Sequence, residues 1–369
     1  MEASQQGSQR YFLAKGTNMT TEYSPIIWKD NKLLLLDQRL LPHTEKFVEI
    51  TDLAGTALAI KDMVVRGAPC IGFTAIFGMA LWVRHQKQLT LDLCRVACDE
   101  MIRARPTAVN LSYEVNRCFD QMKAGIHHNH TAEQIHHQLV DFGHEQIRFS
   151  HDKNTAMAKI GFDELKKLFG NKKWNLMTHC NTGFLACGSL GTALGVISYS
   201  HSQGQVEHVY ADETRPYMQG TRLTAFELSK ENIPYSIVVE GAASYLMSHN
   251  KVDAIFVGAD RIAANGDTAN KVGTSTLAIV AKNYNVPFYV VAPISSFDIT
   301  IPDGKHIEIE MRAMSEITEL KGIQLAPNGA QSVNPSFDVT DHRFITGIIC
   351  EKGFIDPSKA GDLVKLVNS

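Results

Sequence analysis

Two side chains stand where bond-making chemistry is plausible from residue type and context alone. Cys180 lies in Thr178-His179-Cys180-Asn181-Thr182-Gly183, where a short apolar run ends and a helical pattern begins. A helix N-terminus there would favour its thiolate. Asp260 follows the apolar run Ile255-Phe256-Val257-Gly258-Ala259. A carboxyl at a largely buried strand tip has its pKa raised by desolvation, which suits it to donate a proton. The competing readings are a small core thiol and a carboxylate paired with Arg261 or Arg215. Arg66-Gly67-Ala68-Pro69 and the stretch from Arg105 to Asn110 interrupt helical patterns, and an arginine in a rigid turn can clamp a phosphate with its two-pronged guanidinium. Singly, each is more often an ordinary surface or capping arginine. Asn270-Lys271 follows the turn Asn265-Gly266-Asp267 and reads as the start of a helix, with Lys271 either a further positive charge near the crevice or an exposed helical lysine. Cys180 to Gly183 also reads as a helix start able to bind an anion or simply to be capped. Glycines 188, 191 and 195 follow at helical spacing and read as close-packing positions. No G-x-G-x-x-G opens that turn, so nicotinamide binding is not indicated.

These residues need elements to hold them. From Trp174 onward, strand-length apolar runs alternate with amphipathic stretches: 175–179 then 182–200, 206–211 then 217–231, 235–239 then 242–248, 252–257 then 269–284, and 287–292 then a loop. Such alternation implies βαβ units and a parallel sheet covered on both faces. Ligands of open α/β sheets bind outside the carboxyl ends of the strands. The polar residues after the five runs therefore define one site. Before them, 26–41 carries a hairpin signal at Asp30-Asn31. Helical spacing occupies 54–65, 72–86, 91–105, 113–125 and 131–167. The fold class expected is α/β: a C-terminal Rossmann-like doubly wound parallel sheet (151–369), an N-terminal mainly helical domain with a small β-ribbon (23–150), and a flexible tail (1–22).

The composition excludes several function classes. The chain has 369 residues, 44% apolar and 20% charged, enough for about two globular domains. With 36 basic and 39 acidic residues the net charge is −3. Nothing in that balance supports nucleic-acid or anionic-membrane binding. No apolar run approaches the roughly 20 residues of a membrane span, and the start is polar, so a soluble cytoplasmic protein is expected. Seven irregularly spaced cysteines do not form a disulfide framework. Cys94 and Cys98 read as packed helical thiols. The cluster His127, His128, His130, His136 and His137 reads as a solvated helix face, and no metal is expected.

The segments VVRGAPCIG, RPTAVNL, THCNTG, ADETRPYMQGTRLTAFEL, VGADRIAANGDTANKVGT and NPSFDVT resemble, in order and spacing, the motifs of the 5-methylthioribose-1-phosphate isomerases, from about residue 26 to 355. The wider superfamily includes ribose-1,5-bisphosphate isomerases and noncatalytic regulatory subunits of the translation-initiation guanine-nucleotide exchange factor. The resemblance implies aldose–ketose isomerisation of a phosphosugar in methionine salvage. It makes Asp260 the catalytic acid and Cys180 the catalytic cysteine, the latter as base in a proton route or transition-state stabiliser in a hydride route. It makes Arg66, Gly67, Ala68, Arg105, Gln219, Asn270 and Lys271 substrate-binding. It implies a homodimer and no cofactor or metal. Ser275, Met311, Phe184 and Cys187 depart from the family pattern, and Phe184 and Ser275 are expected to reshape the pocket around the 5-substituent. That leaves another 5-modified pentose 1-phosphate, such as 5-deoxyribose 1-phosphate, or ribose 1,5-bisphosphate, as alternative substrates.

Overall fold

The computed structural model describes residues 23–106, 108–320, 322–359 and 361–368. The tail expected at 1–22 lies outside these residues. The hairpin forms as expected: β1 (Ile26–Lys29) and β2 (Lys32–Leu36) pair antiparallel, Lys29 opposite Lys32. Asp30 and Asn31 both take positive φ, as a two-residue turn matched to strand twist requires. A third strand, β3 (Phe47–Ile50), completes the ribbon. Five helices follow: α1 (Leu53–Lys61), α2 (Ala68–Arg84), α3 (Leu91–Arg103), α4 (Val109–His127) and α5 (Ala132–Phe169). Helix α2 is apolar almost all round because it is the buried centre of the bundle, packed on α4 and α5. Cys94 and Cys98 are fully buried on α3. His136 is the exception to the solvated histidine face: its ring is buried, bonded to Ala80 O at 2.8 Å and Asn31 Oδ1 at 3.1 Å, so it locks α5 to α2 and to the ribbon turn.

Helix α5 is closed at its start by a Thr131/Gln134 capping box and at its end by Gly170 at φ +64°. It runs unbroken through residue 150, the expected boundary. Ile135, Leu139 and Phe142 pack into the helical core, while Met157 and Leu165 pack into the core beneath the main sheet.

The main sheet contains β4 (Trp174–Thr178), β5 (Val206–Asp212), β6 (Tyr235–Val238), β7 (Ala254–Val257), β10 (Phe288–Val291), β15 (Gly347–Cys350) and β16 (Gly353–Ile355). The numbers between belong to β8 (Arg261–Ala263), β9 (Thr268–Lys271), β11 (Phe297–Asp298), a small hairpin of β12 (Glu319–Leu320) and β13 (Ile323–Gln324), and β14 (Phe337–Thr340). The sheet order is β16-β15-β10-β7-β4-β5-β6, parallel except for β16. Without that edge strand, this is the 3-2-1-4-5-6 order of doubly wound sheets, and the order reverses between β4 and β7. Residues 254–257 are buried on both faces, which is why they are uniformly apolar. Burial of Ile255, Phe256 and Val257 contributes roughly 1.5–3 kcal/mol each.

Two local expectations fail. Asn270 and Lys271 lie on β9, not at a helix start. Gly266 at φ +91° closes a β8–β9 hairpin, β14 pairs along β9, and the helix, α10 (Thr274–Asn283), begins only after Gly273 at φ +105°. The helix expected over 182–200 is broken into α6 (Phe184–Cys187) and α7 (Ala193–Ser202). Gly188, Leu190 and Gly191 take positive φ in the break, and the Gly191 and Gly183 backbones touch too closely for a Cβ at residue 191. Gly188 and Gly191 therefore serve the turn, not helix packing.

Candidate functional site

The reversal between β4 and β7 puts two strand ends side by side, and they carry Cys180 and Asp260. Cys180 has positive φ and is held by its backbone: its N–H donates to Thr214 Oγ1 at 2.9 Å, and its carbonyl accepts from Thr224 Oγ1 at 2.6 Å. Thr214 comes from the loop after β5 and Thr224 from the π-helical turn that leads into α8 (Ala225–Lys230). Asp260 is not buried as expected. It is exposed by area, yet enough protein surrounds it that desolvation is the largest influence on its carboxyl. Desolvation raises its pKa against the opposing pull of Lys271, Arg261 and Arg105. Neither Arg261 nor Arg215 claims it: Arg261 pairs with Asp298, and Arg215 reaches backbone carbonyls at Pro216 and Ile317.

Arg66, Arg105, Cys180, Asp260 and Lys271 come together. Lys271 feels Cys180, Arg66, Arg312 and Asp260, and burial lowers its pKa. Its Nζ donates to Ser336 O at 2.8 Å and lies 4.5 Å from the Phe337 ring centre. Burial also lowers the Arg105 pKa, and Arg105 interacts with Glu310, Arg312, Asp260 and Arg66. Its guanidinium has no hydrogen-bond partner among the described residues. Gly67 and Ala68 open α2 beside Arg66. Gly67 caps that helix at φ +94° without a side-chain bond, so no side-chain cap covers the first-turn N–H groups of Ala68 and Cys70, and Pro69 between them has none. Gln219 is buried on the loop that carries Thr214, and its Oε1 has no partner among the described residues. Asn270 neighbours Lys271, but its amide donates to Thr274 Oγ1 at 3.0 Å.

Gly67 also lies against the Ala186 backbone, where any Cβ would overlap the Ala186 carbonyl. Gly67→Ala is expected to destabilise the fold by about 2–4 kcal/mol, from the unfavourable φ and that overlap, and to raise KM by shifting the start of α2. Thermal unfolding and steady-state kinetics check both.

Phe184 and Ser275, expected to shape the pocket around the 5-substituent, have these surroundings. Phe184 is fully buried among Leu36, Leu41, Leu223 and Phe226, and the Ser275 N–H donates to Asp338 Oδ1 at 3.0 Å, capping α10. Cys187 is buried, and burial pushes its thiol up to about 12. Met311 is exposed.

Several residues at the site were not singled out from sequence. His179, beside Cys180, is fully buried between Asp212 Oδ2 at 3.0 Å and Val272 O at 2.9 Å. Burial opposes a charged ring, but the bond to Asp212 outweighs it and the His179 pKa rises. A carbonyl only accepts, so Nε2 carries a proton and the ring ties β4, β5 and the end of β9 together. Its position at a strand end was the only signal. Glu310 and Arg312 come from a stretch with little regular structure, and their signal was the acidic-arginine run of the family pattern that Met311 interrupts. Glu227, inside α8, is fully buried and accepts from Asn181 Nδ2, Phe184 N and Leu185 N. Burial raises its pKa to about 8, yet three donors occupy both oxygens and leave no acceptor for an O–H, so the geometry favours the carboxylate.

Residues 64–357 match the model of the initiation factor 2 subunit family. A methylthioribose-1-phosphate isomerase of Acetivibrio thermocellus is 43% identical over 338 residues, covering 90% of this chain and 96% of that one. Another from Leptospira interrogans is 41% identical over 358 residues, covering 94% and 98%. Among solved structures, the 5-methylthioribose 1-phosphate isomerase of Pyrococcus horikoshii OT3 superposes with TM-score 0.87 at 37% identity, covering 95% of this chain and 97% of that one. The translation initiation factor eIF-2B subunit delta from A. fulgidus superposes with TM-score 0.84 at 32% identity, covering 94% and 99%. The chain belongs to the initiation factor 2 subunit family, within its methylthioribose-1-phosphate isomerases.

Proposed function

We propose that this protein converts 5-methylthioribose 1-phosphate to 5-methylthioribulose 1-phosphate, an aldose–ketose isomerisation of methionine salvage. The observation that carries the reading is the meeting of an unpaired acid, a thiol and three cations at the sheet's reversal point. Because phosphate esterifies the anomeric oxygen, the sugar cannot open by simple hemiacetal reversal. Asp260 protonates the ring oxygen as its bond to C1 breaks. The hydrogen on C2 then moves to C1, the 2-hydroxyl gives up its proton, and C2 becomes the ketone. Arg66, Arg105, Lys271 and the free N–H groups of α2 hold the phosphate, and fixed charges of this kind need no rearrangement during reaction. Gln219 and Asn270 offer polar contacts to the sugar. Cys180 serves as base if the hydrogen travels as a proton, or stabilises the transition state if it travels as hydride.

Isomer-resolving NMR of the purified protein with a panel of pentose 1-phosphates tests this. Selective conversion of the methylthio sugar is expected. Conversion of 5-deoxyribose 1-phosphate or ribose 1,5-bisphosphate in its place would reassign the substrate. Binding without any conversion would favour the second reading, a noncatalytic sugar-phosphate-binding subunit, which the likeness to subunit delta keeps in view.

The working assembly we propose is a cytoplasmic homodimer that needs no metal or organic cofactor. Light scattering at micromolar concentration should give about twice the 40.9 kDa chain mass, and a species at the single-chain mass alone would refute the dimer.

A further inference from the structure

We propose that Glu227 is a positioning residue whose carboxylate sets the direction of the Asn181 amide and, through it, aims Arg66 at the substrate phosphate. This rests on the reading of Arg66 as phosphate-binding. Asn181 is 1% exposed and sits between two groups of opposite character. Its Oδ1 accepts from Arg66 Nη1 at 2.6 Å, and its backbone carbonyl accepts from Nη2 at 3.1 Å. Its Nδ2 donates to Glu227 Oε1 at 2.7 Å and more distantly to Thr224 Oγ1 at 3.3 Å. A guanidinium only donates and a carboxylate only accepts, so the amide has one orientation that satisfies both. Glu227 is itself immobilised. Its Oε2 accepts from Phe184 N at 2.7 Å and its Oε1 from Leu185 N at 3.3 Å, and any Cβ at Gly183 would overlap the carboxylate. Among the described residues it has no ion-pair partner. Its charge is answered through Asn181 by Arg66, two links away.

Glu227→Gln keeps the shape and removes the direction. The Phe184 N–H belongs to the backbone and cannot turn, so the new amide oxygen must face it. The new NH2 group then faces Asn181, which flips and presents Nδ2 to Arg66, donor against donor. In the double variant Asn181→Asp/Glu227→Gln the line of donors and acceptors from residue 227 to Arg66 is restored: the Gln amide donates to the Asp carboxylate, which accepts from Arg66. The 3.3 Å bond from Leu185 N is lost in both variants and so does not distinguish them.

The test measures KM for 5-methylthioribose 1-phosphate, the inhibition constant of inorganic phosphate, kcat and thermal unfolding for both variants, with Arg66→Ala as reference. In Glu227→Gln, KM and the phosphate constant should rise about tenfold, the scale of one lost charged hydrogen bond, while kcat stays within about threefold. The double variant should bring both constants back to within about threefold of the parent. Unchanged constants in a folded Glu227→Gln, beside weakened binding in Arg66→Ala, would overturn the relay alone. Unchanged binding in Arg66→Ala would remove Arg66 from the phosphate site and overturn both readings. If the single variant does not fold, the folded double variant decides: parent-like constants support the relay and raised constants overturn it.

Discussion

Asp260→Asn should lower kcat by about a thousandfold, within the usual range for loss of a positioned general acid, while KM changes by less than about threefold. The substitution keeps size and shape and removes only the proton. It leaves no orphaned partner, since the Asp260 carboxyl makes no hydrogen bond or ion pair among the described residues. The melting temperature should therefore stay within a few degrees of the parent. The raised pKa of Asp260 means the acid keeps its proton to higher pH than a free aspartate does, and the parent's rate should fall as pH climbs through that value. In the Asn variant that limb of the pH profile should disappear. Full activity in a folded Asp260→Asn protein would remove Asp260 from the role of acid.

Cys180→Ser should cost about a hundredfold to a thousandfold in kcat, because a serine hydroxyl is a far weaker acid than a thiol and cannot take its place as base. The fold should survive. The positive-φ turn at residue 180 is held through its backbone N–H and carbonyl by Thr214 and Thr224, and neither bond uses the sulfur. Parent-like turnover in the Ser protein would exclude the thiol from the chemistry. Running the parent reaction in D2O separates its two possible tasks. Solvent deuterium at C1 of the product marks a proton route with Cys180 as base, and full retention of the original hydrogen marks a hydride shift.

Much of this arrangement could be read from residue order. Alternating apolar runs disclosed the parallel sheet, Asp30-Asn31 disclosed the ribbon turn, and polar strand ends pointed to Cys180 and Asp260. What escaped was set by contacts distant in sequence. Asn270 and Lys271 are drawn into a strand by pairing with β14, about 70 residues later, and no local pattern announces that partner. The seven-stranded order that brings residues 180 and 260 together depends on which strands neighbour, whereas alternation reveals only that they are parallel. Asp260 looked buried because its flanks are apolar, but the preceding run is core and the residue itself is exposed by area. Glu227 sits inside an amphipathic helix, where a glutamate ordinarily faces water. Only the docking of α6 against α8 turns it into a buried anchor.

Helix α5 carries one more implication. At about 1.5 Å per residue its 38 residues form a rod roughly 57 Å long, and it is the one covalent passage between the part that supplies Arg66 and Arg105 and the part that supplies Cys180, Asp260 and Lys271. Hinged closure needs a few residues able to absorb a large change in φ and ψ. An uninterrupted helix embedded in both cores has none at the crossing. The residues that supply Arg66 and Arg105 and those that supply Cys180, Asp260 and Lys271 are thus joined by a crossing that offers no hinge.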